Sequence, residues 1–468
     1  MKQDSTLTDG LSGIEEEISR LEKVFHIDAN KLKQVSNRFI KELQDGLQSK
    51  GQNIPMNETW VHGFPSGKEA GSFLTIDLGG TNIRVCWITL TGKRGDHKIE
   101  QSSYQLPGEI KTGTAEKLWD FIANSLEEFI KDQKLKGTSE EPLPLSFTFS
   151  YPLTQTSIEH GKLQTWTKGW DVKGVEGEDV GDQLGKALAA KSLPVKVIAI
   201  VNDTTGAMIA SAYNDPATII GAIFGTGCNA AYMEKLGRIT KLKSHPVASS
   251  LSPDTPMAIN CEYGAFDNSL QVLPRTKYDE QIDDASPRPG EQRFEKLSAG
   301  LYLGEIFRLV VLDLHKQHGF LQSQDFASKP IGTEHYSFDT AVLSGVEDDQ
   351  SPSLTQSRDI LKKDFDMAVT EQEMAQLQRL AIAIATRGAR LCACGVAAIC
   401  TMTDTKEGHV AADGSVANKH PKFKERWAQA LGEILDWKEG EQPIQMTSAE
   451  DGSGVGAAVI AAMTVTKG

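Results

Sequence analysis

The stretch Leu74–Leu90, LTIDLGGTNIRVCWITL, decides the reading of the fold. Its apolar residues run to Leu78, break at Gly79-Gly80-Thr81 and resume at Ile83. That pattern predicts two strands joined by a very small turn. Asp77 stands where the first apolar run ends, a place where an unpartnered buried carboxylate is costly. The turn therefore predicts something charged bound close to the backbone.

Outward from this hairpin, strands are predicted at 73–78, 83–90 and 98–104, near enough in sequence to pair as an antiparallel meander. Short apolar strands follow at 145–150 and 195–201, separated by amphipathic helices at 114–133 and near 179–191. Meander strands followed by strand–helix–strand units predict a mixed α/β sheet. After residue 204 the grammar returns: TIIGAIF, a Gly225-Thr226-Gly227 turn, then AAYMEK. This single echo suggests an internal duplication. Helices are expected over 12–50, 291–318, 370–401 and 421–435, with loops at 51–71 and 243–256. The chain closes on a strand, the turn Gly452-Ser453-Gly454, and a helix of small residues.

The 468 residues suit two or three lobes rather than one core. A net charge of −14, from 49 basic and 63 acidic residues, repels phosphate backbones and anionic lipid. Nucleic-acid and membrane partners are therefore not expected. Six cysteines without zinc-finger spacing read as buried free thiols in a reducing compartment. The N-terminal segment has no apolar core of a signal peptide, and no run approaches a membrane span in apolar length. The expectation is a cytoplasmic protein.

Two sets of residues point to chemistry. The first is the three glycine turns, each following an apolar strand. Glycine permits close backbone approach, and backbone N–H groups with threonine hydroxyls bind phosphate oxygens. Each turn alone reads equally as a tight hairpin or helix cap. None is a Walker loop or a dinucleotide fingerprint. The second set is polar residues at strand ends: Ser150, Thr167, Lys168, Asn202, Asp203, Asn229, Glu262, and Gln292 with Glu295 at a helix start. Neutral and acidic hydrogen-bonding groups beyond strand ends suit a polyhydroxylated ligand. Asp203 reads either as a general base or as the N-cap of the helix TTGAMIASAY. Lys168 reads either as a neutraliser of transferring charge or as a solvated loop lysine.

The motifs DLGGTN-R, FSYP, WTKG, NDTTG, GTGCNAAY, N-EYGAF, PG-Q-FEK and EDGSGVGAA, in this order, resemble the hexokinase family, fungal members above all. The resemblance runs from about residue 60 to 463. It implies a two-lobed actin-like (ribonuclease H-like) α/β fold around a deep cleft, with 72–204 and the returning 448–468 as small lobe and 1–71 with 205–447 as large lobe. Hinges are expected near 71–72, 204–206 and 445–448. The resemblance implies phosphorylation of glucose, fructose and mannose at the 6-hydroxyl by ATP with Mg²⁺. Asp203 then matches the catalytic base, with Lys168 beside the transferring phosphoryl group. Ser150, Thr167, Asn202, Asn229, Glu262, Gln292 and Glu295 match sugar contacts. Asp77 would meet Mg²⁺ through water. Gly79, Gly80, Thr81, Asn82 and Arg84 would line the phosphates, with Gly225, Thr226 and Gly227 as a second contact and Gly452, Ser453 and Gly454 near the adenosine. Ile83, Trp170 and Glu291 depart from common family residues without touching a catalytic group. The resemblance leaves open monomer or homodimer, a glucose-specific glucokinase, an amino-sugar kinase, and a catalytically weak sugar sensor. An actin-like ATPase would share the turns but need no N-EYGAF or FEK acids.

Overall fold

The structure is a computed structural model that describes residues 4–79, 81–166 and 170–465, with side chains from residue 13 onward. Strands β1 (Asn57–Glu58), β2 (Ala70–Leu78), β3 (Asn82–Thr91), β4 (His97–Gln105) and β5 (Leu143–Thr148) are followed by the hairpin β6 (Leu153–Ser157) and β7 (His160–Leu163). Then come β8 (Val195–Val201), β9 (Thr218–Phe224), β10 (Cys228–Lys235), β11 (Pro256–Asn260), β12 (Gly408–Asp413) and β13 (Ile444–Ser448). The first sheet has the order β4-β3-β2-β5-β8. Its first three strands are antiparallel, and β5 and β8 run parallel to β2.

The second sheet repeats this plan. Its order is β1-β11-β10-β9-β12-β13, an antiparallel trio with β12 and β13 parallel to β9. Without β1, it matches the first sheet strand for strand. The internal duplication is therefore a property of the whole sheet, beyond the one hairpin echo visible in sequence.

Each sheet has its own apolar core. A further apolar cluster joins them, built from Ile198 and Val201 of β8, Met208 and Ile209 of the helix Asp203–Asn214, and Val459 and Ile460 of the helix Ala457–Val465. The two helices are exchanged. Asp203–Asn214 leaves the first sheet and packs on β9 and β10, whereas Ala457–Val465 leaves the second and packs on β2, β5 and β8. Their starts meet at glycines. A Cβ on Gly206 would come within 2.4 Å of the Gly452 carbonyl oxygen, and one on Gly456 within 2.1 Å of the Gly206 oxygen. No side chain fits such a backbone approach.

Two predicted helices are interrupted for local reasons. The segment 12–50 is two helices, Asp4–Phe25 and Ala29–Gln48, because Asp28 starts the second by accepting the Lys31 N–H at 2.8 Å. The segment 291–318 divides at Ala299 into Arg293–Ser298 and Gly300–His318. There the Gly300 N–H donates to the Gly225 oxygen at 2.7 Å, so the second glycine turn sits on the break. The predicted loop over 243–256 holds a short helix, Pro246–Ser250. The hairpin β6–β7 and strands β11 and β12 were not expected from sequence; all are short, and β6 is polar from Thr154 to Ser157.

All six cysteines are buried and unpaired in disulfides. Among the described residues one helix, Glu371–Thr403, is long and apolar enough to cross a membrane, although no such run was expected. It is a core helix of the fold, with 83% of its most apolar window buried.

Candidate active site

The β2–β3 turn closes with the Gly79 N–H donating to the Asn82 oxygen at 3.0 Å, while the Leu106 N–H ties Thr81 through its carbonyl at 2.9 Å. Pairing of β2 with β3 sets Asp77 opposite Arg84. The Arg84 guanidinium grips Asp451 with both forks, at 2.9 and 2.6 Å, and donates to the Ser453 hydroxyl at 2.6 Å. Asp77 lies 3.7 Å from the same guanidinium. Arg84, expected beside phosphates, is thus engaged by the third glycine turn, which reaches the first turn across the end of the sheet. The Thr148 hydroxyl, ending β5, also donates to the Ser453 oxygen at 3.0 Å.

Burial raises the Asp77 carboxyl above its usual range; Ser453 and Arg84 oppose the shift, and the nearby charges of Asp203 and Asp451 add to it. The Tyr151 hydroxyl is pushed far up by burial and by the same Asp203 and Asp77 charges. A divalent cation beside Asp77 would offset the mutual repulsion of the Asp77, Asp203 and Asp451 charges. A consequence follows for stability. A raised carboxyl favours the folded state at low pH and loses that advantage as pH rises through its folded value. Asp77→Asn is expected to raise the Tm of the ligand-free protein at neutral pH, with the gap closing toward acid pH. A Tm series across pH checks this, and a gap that widens on acidification would contradict it.

Asp203 is the first residue of its helix, and the N-cap is Asn202, whose Oδ1 accepts the Thr204 N–H at 2.9 Å. Capping therefore does not depend on Asp203, although Asp203 Oδ1 also accepts that N–H at 2.7 Å and faces the Thr204 hydroxyl at 3.2 Å. From Thr204 the network continues into the second sheet. Asn229 Nδ2 faces the Thr204 hydroxyl at 3.1 Å, Asn260 Oδ1 at 2.7 Å and Glu262 Oε1 at 3.3 Å. Asn260 Nδ2 donates to Glu262 Oε1 at 2.8 Å. The Asn229 oxygen accepts the backbone N–H groups of Ala230 and Glu262 at 2.8 and 2.9 Å, which fixes the orientation of its amide.

Gln292 and Glu295 join the same face through glycine. A Cβ on Gly264 would come within 2.3 Å of Gln292 Oε1, and one on Gly227 within 2.6 Å of Glu295 Oε2. The Cys228 N–H donates to Glu295 at 3.1 Å. Glu262 and Gln292 both have left-handed backbones, at φ +54° and +52°. Ser150 sits just past β5, half-buried. Thr167, Lys168 and Gly80 lie outside the described residues.

The glycine turns divide in purpose. Gly225 rests 3.1 Å, from a notional Cβ, on the Cα of Gly414, whose own φ is +109°. Asp413-Gly414-Ser415 is a fourth turn of the same kind, at the end of β12. Gly452 meets the backbone of Ala207 instead of open space, so its lack of a side chain serves helix contact. Sequence reasoning passed over Tyr151, Asn260, Gly414 and Asp451. The signal for Gly414 was present, since VAADGS repeats the apolar-strand-then-glycine grammar of the other turns.

Two family models, both described as Hexokinase, match residues 17–213 and 219–463. Hexokinase from Emericella nidulans is 51% identical over 99% of this chain and 93% of its own length. Hexokinase-2 from Saccharomyces cerevisiae is 47% identical over 96% and 92%. Among solved structures, hexokinase from Schistosoma mansoni complexed with glucose superposes with a TM-score of 0.84 at 31% identity, covering 96% of this chain and 99% of that one. The duplicated sheets, the exchanged helices and these matches agree: the fold is the two-lobed actin-like sugar-kinase fold, and the chain belongs to the hexokinase family.

Proposed function

We propose that this hexokinase transfers the γ-phosphoryl group of ATP to the 6-hydroxyl of glucose, and also of fructose and mannose, with Asp203 as general base. The observation that carries the reading is the unbroken polar path from Asp203 through Thr204 and Asn229 to Asn260 and Glu262. It joins the exchanged helix of one half to strand ends of the other, so a sugar held by Asn229 and Glu262 lies beside Asp203. Asn202, Ser150, Gln292, Glu295 and Thr167 complete the sugar shell. Asp203 takes the proton of the attacking hydroxyl. Lys168 and the turn at Gly79, Gly80, Thr81 and Asn82, apart from the Gly79 N–H already given to Asn82, stabilise charge spread over the transferring group. The turns Gly225-Thr226-Gly227 and Asp413-Gly414-Ser415 form the second wall of the nucleotide cradle, with Ser453 and Gly454 at its end. Asp77 would hold Mg²⁺, which when bound neutralises phosphate charge. The lobes divide as 72–204 with 448–468, and 1–71 with 205–447.

The test is a coupled assay of ADP release with no sugar and with glucose, fructose, mannose or N-acetylglucosamine. The expected result is strong stimulation by the first three sugars. ADP release indifferent to sugar would overturn the assignment in favour of an ATPase. Stimulation by N-acetylglucosamine alone would redefine the substrate.

A further inference from the structure

The loop between the helices Lys277–Ala285 and Arg293–Ser298 is held with unusual firmness. Buried Lys296, which the proposed chemistry does not use, donates to Asp283 at 2.7 Å, the Ser286 hydroxyl at 2.8 Å and the Arg288 carbonyl at 2.9 Å. Asp283 also accepts the Gly290 N–H at 3.0 Å and pairs with Arg293 at 3.1 Å. These bonds fix the backbone from Asp283 to Arg293, and with it Gln292.

From this braced loop the Arg288 guanidinium reaches out of its own half and donates to the Thr165 hydroxyl at 2.8 Å. Thr165 belongs to the other half. It precedes Trp166, a member of the first sheet's apolar core. Its hydroxyl passes the bond on to Glu176 at 3.1 Å, and Glu176 also accepts the Trp166 N–H at 2.6 Å. Both ends are braced, and each leads to a candidate sugar contact: Gln292 lies four residues along the chain from Arg288, and Trp166, next to Thr165, meets the ring of Tyr151 at 4.7 Å between centroids, beside Ser150.

We infer that Arg288 is a positioning residue that ties the two walls of the sugar site together through Thr165. The inference rests on the sugar site proposed above. Arg288 is half exposed, so its bond adds little to folding stability. Its effect belongs in the binding of a ligand that needs both walls in register.

The experiment compares wild type with Arg288→Ala, Arg288→Lys, Thr165→Val and the Arg288→Ala/Thr165→Val double variant. Glucose KM, ATP KM, kcat, Tm and glucose affinity by tryptophan fluorescence are measured for each. Either single truncation is expected to weaken glucose binding about three- to ten-fold, the range one hydrogen bond supports. The double variant is expected to lose less than the product of the two single losses, because both remove the Arg288–Thr165 bond, while Thr165 also holds Glu176 and Arg288 also pairs with Glu291. Tm and ATP KM stay at wild-type values, and Arg288→Lys, keeping one donor, falls between. Unchanged glucose binding in Arg288→Ala, effects that multiply in the double variant, or a loss that follows Tm would each overturn the inference. A wild type whose ADP release ignores sugar would instead overturn the underlying site.

Discussion

Asp203→Ala is expected to lower kcat by roughly 10²–10⁴-fold, the contribution of a positioned general base, while glucose still binds. Three features of the structure support so clean a separation. Asn202 caps the helix, so its start does not rest on the Asp203 carboxylate. Asn229, Asn260 and Glu262 keep their mutual hydrogen bonds without it. The loss of one negative charge also relieves Asp77, whose carboxyl the Asp203 charge helps to raise. The variant should therefore fold at least as stably as wild type. Asp203→Asn, which retains an acceptor for the Thr204 N–H, is expected to be equally slow. Near-normal kcat in either variant would remove Asp203 from the role of base. A fall in glucose affinity as large as the fall in kcat would instead assign it to binding.

The second large effect is expected at a residue with no chemistry. Gly206→Ala adds one methyl group where the Gly452 carbonyl stands 2.4 Å away. The obstacle is backbone at the start of the other exchanged helix, so it cannot turn aside as a side chain would. Overpacking of a core costs about 1–3 kcal/mol, and here relief requires parting two helices. Three residues before Gly206 lies Asp203; on the other strand of the contact lies Asp451, paired with Arg84. Gly206→Ala is therefore expected to lower Tm by several degrees and to lower kcat at temperatures where the protein remains folded. Gly185→Ala, on the helix Val180–Ala190 with nothing within 4 Å of its Cβ, serves as the control and should leave kcat unchanged and hold or raise Tm. Equal behaviour of the two alanine variants would show that the contact yields.

The contrast between what sequence disclosed and what it withheld has a physical pattern. Strands β2 and β3 were legible because they are long, apolar and separated by a glycine turn, as in Leu74–Leu90. Strands β11 and β12 were not, because PMAIN and GHVAAD are short and their burial comes from neighbours far along the chain. Candidate site residues adjacent to a motif, such as Asn229 and Glu262, could be named from spacing and resemblance. Asn260 and Asp451 lay inside the same motifs yet drew no attention, since their partners, Asn229 and Arg84, are distant in sequence. The divided uses of glycine were equally hidden. Gly225 and Gly452 occupy similar turns, but only the folded chain distinguishes a turn stacked on another turn from a helix contact.

The exchange of the two terminal helices bears on how the chain could be cut. A fragment ending near Val201 would possess every strand of its sheet and still present β2, β5 and β8 without the helix Ala457–Val465 that covers them. The complementary fragment would carry that helix with no sheet to receive it. Neither piece is a self-sufficient module, so separate expression should yield insoluble halves. Produced together in one cell, they should reassemble, the second fragment lending the helix Ala457–Val465 to the sheet of the first.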